Sequence, residues 1–314
     1  MAKGMSEPAI KFQGVFRAFG DVMAVRDLHL EIRTGSVAVL LGPNGAGKTT
    51  TIRLSTGALA ADSGQISVLG LDPRVDAGKI RQLSGVVPPK PAFYERLSGR
   101  ANLQFAAKLW ELESDRAIEE SAQRFGISGS LDSDVGGYST GMRTRLALAR
   151  AVLHDPAVLF LDEPTAGLDP ESARAVLALI TELAGKGRTV VMCTHLLHEA
   201  EGIADQVVMM SEGHAWVAGP PDHLVNEYWD DRRVHLDAEN REALAVVKEF
   251  EGVVASETNG FVTVELDDLN KLPALVQRLV TQGVRLTRVE PVQPTLEQLY
   301  FEMQRHHRGE EATS

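Results

Sequence analysis

Apolar and polar residues alternate in two rhythms along the chain. Between residues 9 and 41 the alternation is short, as in Ile10-Lys11-Phe12 and across Val22 to Leu30, the period of strands and hairpins with one covered face. Three runs are uniformly apolar instead: Val37-Ala38-Val39-Leu40-Leu41 after Ser36, Val158-Leu159-Phe160-Leu161, and Thr189-Val190-Val191-Met192-Cys193. Such runs fit central parallel strands covered on both faces. Residues 48 to 58 suit a helix, Ser63 to Gly70 a turn and then a strand. Gly85-Val86-Val87 reads as a short strand running into Pro88-Pro89-Lys90-Pro91, which no helix can cross. Apolar residues return at helical spacing from about 98 to 126, with further helices from Gly141 to about His154 and from Pro170 to about Lys186. Gly185 and Gly187 end the last of these. The alternation implies an α/β core with a mainly helical insertion near 90 to 150.

Around Gly219-Pro220-Pro221 the character changes, and the pattern restarts near residue 232. Expected there are a strand (Arg233 to Leu236), a helix (Arg241 to Phe250), a hairpin about Asn259-Gly260, a helix (Leu269 to Gln282), a strand (Val284 to Val289) and a last helix from Thr295 to about Gln304. That order, βαββαβ with a trailing helix, suggests a small ferredoxin-like α+β domain. The expected organisation is therefore a first domain over 8–222, an accessory domain over 232–304 and a frayed tail over 305–314. His306 and His307 in the tail are adjacent and poorly placed to share one metal.

Composition narrows the classes. A formal charge of −11 over 314 residues argues against broad nucleic-acid binding, which needs a basic face, so no nucleic-acid partner is expected. The single cysteine, Cys193, cannot form an internal disulfide and reads as a packed small hydrophobe. The N-terminus has no apolar signal region, and no stretch approaches the length of a membrane span. A cytoplasmic protein is expected, reaching any membrane only through a partner.

The chemistry begins directly after Leu41. Gly42-Pro43-Asn44-Gly45-Ala46-Gly47-Lys48-Thr49 is a complete phosphate-binding loop, set between an apolar strand and the helix-compatible Thr50-Thr51-Ile52-Arg53-Leu54. Glycines let the backbone wrap an anion closely, and the helix that follows aims free N–H groups at one point. Lys48 is placed for the β- and γ-phosphates of a nucleotide, and the Thr49 hydroxyl for Mg²⁺; kinases, GTPases and many ATPases all stay open on this loop alone. Val158 to Leu161 carry Asp162 to the carboxyl end of a buried strand beside that loop, where it can hold the metal through water. Glu163, one residue on, is placed to polarise an attacking water as general base.

With Tyr138-Ser139-Thr140-Gly141-Met142, Leu161-Asp162-Glu163-Pro164-Thr165-Ala166-Gly167-Leu168-Asp169-Pro170 and Thr194-His195 in view, the chain resembles the nucleotide-binding subunits of ABC transporters over roughly residues 9 to 222. The resemblance implies a P-loop NTPase core: a RecA-like parallel sheet, an antiparallel β subdomain and a helical insertion. It implies that Ser139 and Gly141 bind the γ-phosphate held by the opposite subunit. Thr140 and Met142 depart from the commonest form of that segment. Ser139 also suits the capping of its own helix. Phe19, 29 residues ahead of Lys48, stands where family members stack an aromatic on adenine, although it suits a core equally well. His195 matches the histidine that contacts the γ-phosphate, and Asp169 lies in the loop that joins the two subunits.

One position departs with chemical consequence. The family commonly places glutamine, sometimes an acidic residue, after the strand Gly85 to Val87 to meet Mg²⁺; here Pro89 stands, with neither side-chain oxygen nor backbone N–H. The family further implies a homodimer sandwiching two ATP, docked through the helical insertion and the loop at 88 to 96 onto a separate integral-membrane permease subunit at the inner face of the cell membrane. Gln293-Pro294-Thr295-Leu296-Glu297-Gln298-Leu299-Tyr300-Phe301 resembles the ending of subunits related to multidrug, sodium and gliding-motility exporters. A soluble ABC-type ATPase acting on nucleic acid or ribosomes stays open as the alternative, as does a non-catalytic regulatory role.

Overall fold

A computed structural model of the chain describes residues 7–112, 115–229, 231–259, 261–292 and 294–311. The fold divides into two units, Met1–Pro221 and Asp222–Ser314. The first opens with β1 (Ile10–Phe19) and β2 (Val22–Ile32), an antiparallel pair, followed by β3 (Val37–Leu41), α1 (Lys48–Ser55), β4 (Ser63–Val68), α2 (Pro73–Gln82) and β5 (Ser84–Val87). The helical insertion holds α3 (Gly99–Leu109), α4 (Asp115–Arg124) and α5 (Thr140–Val152). The chain then returns through β6 (Val158–Asp162), α6 (Pro170–Gly185), β7 (Thr189–Thr194), the single turn α7 (Leu197–Ala200), β8 (Gln206–Ser211) and β9 (His214–Gly219).

Two sheets result. β4 joins β1 to give an antiparallel sheet ordered β2-β1-β4, and the larger sheet runs β5-β6-β7-β3-β8-β9. It is parallel except for β9, which pairs antiparallel with β8 at the edge. Every residue of β3, β6 and β7 is buried, which is why these strands carry no polar alternation. This is the α/β class expected, with the antiparallel sheet and the helical insertion in place.

Three local departures have physical causes. The helical run 98 to 126 is two helices, because Glu111 turns to a left-handed φ of 55° and ends α3. The unexpected α2 begins at Asp72, whose side chain accepts from the Arg74 N–H, with Pro73 at the first helical position. The unexpected β8–β9 pair is joined through Glu212 and Gly213, at φ 49° and 85°, the signature of a tight hairpin turn.

α8 (Pro221–Tyr228) begins at the boundary, and the second unit continues with β10 (Arg233–Ala238), β11 (Val253–Asn259), β12 (Phe261–Leu266), α9 (Leu272–Thr281), β13 (Leu286–Pro291) and α10 (Leu296–Glu311). Its sheet is ordered β11-β12-β10-β13, antiparallel throughout, over a core that includes Val234, Leu236, Val264, Leu275 and Leu279. The expected helix 241–250 is a 3₁₀ helix over Arg241–Glu249. Its buried residues, Leu244 and Val247, are three apart and so align on one face of a three-residue turn. α10 starts from a capping box, in which the Thr295 hydroxyl accepts from the Gln298 N–H at 3.2 Å and the Gln298 side chain accepts from the Thr295 N–H at 3.0 Å. The helix does not stop near Gln304 but runs to Glu311, so the tail expected to fray is helical that far. Gly260 of the expected hairpin, Gln293, residues 312–314, and the side chains of His306 and His307 lie outside the described residues.

Candidate nucleotide site

The phosphate loop leaves the buried end of β3 and closes on the first turn of α1. A Cβ on Gly42 would lie 2.1 Å from the Met210 carbonyl oxygen. Gly47 holds φ 102°, and a Cβ there would lie 2.5 Å from the Ala24 carbonyl oxygen of β2. Pro43, Asn44 and Gly45 are exposed, Ala46 is buried beneath them, and Thr50 is half-buried in the first turn of α1. Gly47 caps α1 without a side chain, so the first amides of that helix are left for an anion. Lys48, only 6% exposed, donates from Nζ to the carbonyls of Gly42 at 2.6 Å and Pro43 at 3.1 Å.

β6 brings two carboxylates to this loop. The Thr49 hydroxyl donates to Asp162 Oδ2 at 2.7 Å. Burial pushes the Asp162 carboxyl above the usual carboxylate range, with the Thr49 bond opposing the shift. Glu163 then turns to φ 53°, left-handed for a residue with a side chain, and its N–H donates to the Cys193 carbonyl of β7 at 2.9 Å. This turn aims the carboxylate between two side chains: Lys48 Nζ is 4.0 Å from Oε1, and His195 Nδ1 lies 3.0 and 2.9 Å from Oε1 and Oε2. Cys193 is fully buried beside these groups, and burial pushes its thiol well above the ordinary range. Lys48, Thr49, Asp162, Glu163 and His195 therefore converge, although 147 residues separate the first from the last.

Among the described residues there is no cluster of three or more His, Cys, Asp or Glu suited to a metal. The oxygens of Thr49 and Asp162 fit Mg²⁺ nonetheless, since that ion keeps most of its waters and takes one or two protein ligands beside a phosphate.

The other expected site residues lie on neighbouring elements. Phe19 ends β1, 43% exposed, with the Arg17 guanidinium 4.8 Å from its ring centroid. Arg17 is held by Asp62 at 2.7 Å. The hairpin carrying Phe19 abuts the phosphate loop, because Ala24 of β2 sits against Gly47. Ser139 caps α5, its hydroxyl accepting from the Met142 N–H at 3.2 Å. Gly141 lies against Ser172 and Leu168, where an added Cβ would come 3.5 Å from the Ser172 hydroxyl. Asp169 caps α6 by accepting from the N–H groups of Glu171 at 3.1 Å and Ser172 at 2.9 Å, and these bonds hold its carboxyl below the usual range. Ser139, Gly141 and Asp169 thus form a cluster of helix starts, with Ser139 and Asp169 exposed.

A groove of about 580 Å³ lies between β5, its proline-rich exit and the helices α3 and α5. Tyr94 meets Phe105 edge-on at 5.2 Å, Trp110 stacks on His154 at 4.1 Å, and the Arg150 guanidinium lies 4.6 Å from the Phe93 ring centroid. Burial lowers the His154 pKa. Sequence reasoning pointed to the loop 88–96 and the insertion but missed these aromatic pairs; the clustering of Phe93, Tyr94, Phe105 and Trp110 was the available signal.

Comparison with known proteins agrees with this geometry. The ABC transporter family profile matches residues 25–166. The chain is 34% identical over 307 residues to the daunorubicin resistance ATP-binding protein DrrA2 of Streptomyces coeruleorubidus, covering 95% of each chain. It is 36% identical to a Nod factor export ATP-binding protein I of Rhizobium sp. (strain N33), over 71% of this chain and 75% of that one. Among solved structures, cbiO1 from Clostridium perfringens, part of the ABC transporter complex cbiONQ, superposes with a TM-score of 0.64 at 28% identity, covering 71% of this chain and 92% of that one. The chain belongs to the ATP-binding, ATP-hydrolysing subunits of ABC transporters.

Proposed function

We propose that two copies of this chain close around two ATP molecules and drive a separate integral-membrane subunit in export. Each nucleotide lies between the phosphate loop of one copy and the Ser139–Gly141 segment of the other. The observation that carries this reading is the convergence of Lys48, Thr49, Asp162, Glu163 and His195 beyond the carboxyl ends of the neighbouring strands β3, β6 and β7. Lys48 and the α1 amides bind the β- and γ-phosphates. Thr49 and Asp162 would hold Mg²⁺, which when bound would supply neutralising charge at the phosphates. Glu163 takes the proton of the attacking water while His195 fixes its carboxylate and meets the γ-phosphate. Phe19 stacks on the adenine, and Ser139, Gly141 and Asp169 contribute from the facing copy.

The transport path is read as belonging to a membrane partner, because a similar solved structure is part of the ABC transporter complex cbiONQ; no helix among the described residues is long and apolar enough to cross a membrane. The aromatic groove beside α3 and α5 is the surface offered to it, with Tyr94, Phe105 and Leu109 exposed at 55%, 47% and 69%. The chain is accordingly read as acting at the inner face of the cell membrane. Export is favoured because a relative at 36% identity is named as an export protein. The second unit is read as a ferredoxin-like accessory domain that stabilises the dimer or regulates it. At Pro89 the magnesium contact usual in the family is missing or filled by water, which leaves hydrolysis slower or differently coupled. An oxygen ligand from residues 88 to 92 in a crystal with Mg²⁺ and an ATP analogue would overturn that last point.

The test is ATP hydrolysis and assembly of Glu163→Gln beside its membrane partner. The reading expects turnover to fall by about a hundredfold or more and an ATP-dependent dimer to accumulate. A strictly monomeric Glu163→Gln chain at saturating ATP and Mg²⁺ overturns it.

A further inference from the structure

Glu199 lies in α7, the single turn after His195, with only 4% of its surface exposed. No role in phosphate or metal binding accounts for a buried carboxylate there. Its partners are two buried threonines. The Thr165 hydroxyl donates to Glu199 Oε2 at 2.5 Å, and the Thr194 hydroxyl donates to the same oxygen at 3.1 Å. Thr194 also accepts the Leu196 N–H at 3.0 Å, so its one proton is directed at the carboxylate. Thr165 and Thr194 are 3% and 0% exposed, which leaves little water to replace these bonds.

The positions of those threonines are informative. Thr165 stands two residues after Glu163, and Thr194 immediately before His195. Glu199 is therefore a single acceptor bridging the turn that leaves β6 to the turn that leaves β7. Glu163 sits in a left-handed conformation that persists only where the surroundings over-determine it. Its N–H is tied to Cys193 of β7, and the Glu199 bridge ties the far side of the same turn to Thr194.

We propose that Glu199 is a positioning residue for ATP hydrolysis, holding the Glu163 turn in register with the His195 turn so that the two side chains meet. The proposal rests on the roles given above to Glu163 and His195. A single acceptor oxygen suffices for the bridge, so glutamine can replace the carboxylate, whereas alanine cannot.

The experiment is steady-state ATP hydrolysis by the full chain assembled with its membrane partner. Glu199→Ala is expected to lower kcat about tenfold while KM for ATP changes by less than about twofold, since the phosphate loop is untouched. Glu199→Gln is expected to recover most of that loss. Combined with His195→Ala, Glu199→Ala is expected to cost little more than His195→Ala alone, because the register it protects no longer matters. Wild-type kcat in Glu199→Ala, a parallel loss of kcat and ATP affinity, or a fully additive loss in the His195→Ala background each overturns the proposal. If Glu199→Ala does not fold, Thr165→Val carries the test: lowered kcat with KM retained supports the bridge, and unchanged kcat overturns it. Glu163→Gln hydrolysing at the wild-type rate would remove the underlying assignment, and the proposal with it. Loss of activity in Glu163→Gln with none in Glu199→Ala removes the proposal alone.

Discussion

The Thr49 hydroxyl and the Asp162 carboxylate meet at 2.7 Å, so the first turn of α1 is fastened to the end of β6 before any metal arrives. Asp162 is only 3% exposed, and its pKa is raised by burial. A carboxyl raised in the folded state binds its proton more tightly there than in the unfolded chain. Folded stability therefore falls as pH climbs from the ordinary carboxylate value through the raised one. Asp162→Asn is expected to lack this penalty, melting higher than wild type at pH 7 without nucleotide. It is also expected to lose Mg²⁺-dependent hydrolysis by about a hundredfold. Calorimetry beside an ATPase assay checks both signs; an unchanged or lower melting temperature sinks the electrostatic account.

Gly47→Ala introduces a Cβ 2.5 Å from the Ala24 carbonyl oxygen at a φ of 102°. The strain and clash are expected to cost at least about 2 kcal/mol and to distort the phosphate loop. Urea unfolding at neutral pH measures the loss, and a shift below about half a kilocalorie would mean that the hairpin yields easily.

Ser139→Ala removes the cap of α5, whose bond to the Met142 N–H spans 3.2 Å. Helix capping predicts a stability loss of about 1 kcal/mol. The role proposed for Ser139 across the dimer predicts something further: ATP binding to the isolated chain survives, while hydrolysis in the assembled transporter drops. Equal loss of both would assign Ser139 to folding alone.

Phe105→Ala strips an aromatic that is 47% exposed and paired with Tyr94. Affinity for the membrane partner is expected to fall about tenfold, as for an interface anchor, with ATP binding unaltered. Co-purification in detergent against a titrated partner measures it. Unchanged assembly would move the docking surface elsewhere.

Local chemistry was legible wherever a few adjacent residues sufficed. The uniformly apolar runs at 37–41, 158–161 and 189–193 announce central strands because burial on both faces leaves no polar position to confuse the period. α2 was missed because only Pro73 and Ile80 are buried, so its apolar stripe is nearly absent, although Asp72-Pro73 was a readable start signal. α10 outran its expected end because no apolar residue between Met303 and Glu311 marks a face in the sequence, while the helix continues to Glu311. The left-handed turn of Glu163 and the bridge through Glu199 depend on how two distant strand ends lie side by side. No spacing along the chain encodes that.

The burial of Cys193 has a practical corollary. The chain carries one sulfhydryl, and it is sealed inside the central sheet. A cysteine placed at Val75, which is 80% exposed, would then be the sole target for a maleimide dye, without first stripping out a native thiol. Fluorescence from that label would test the proposed closure of two copies with every other residue of the protein unaltered.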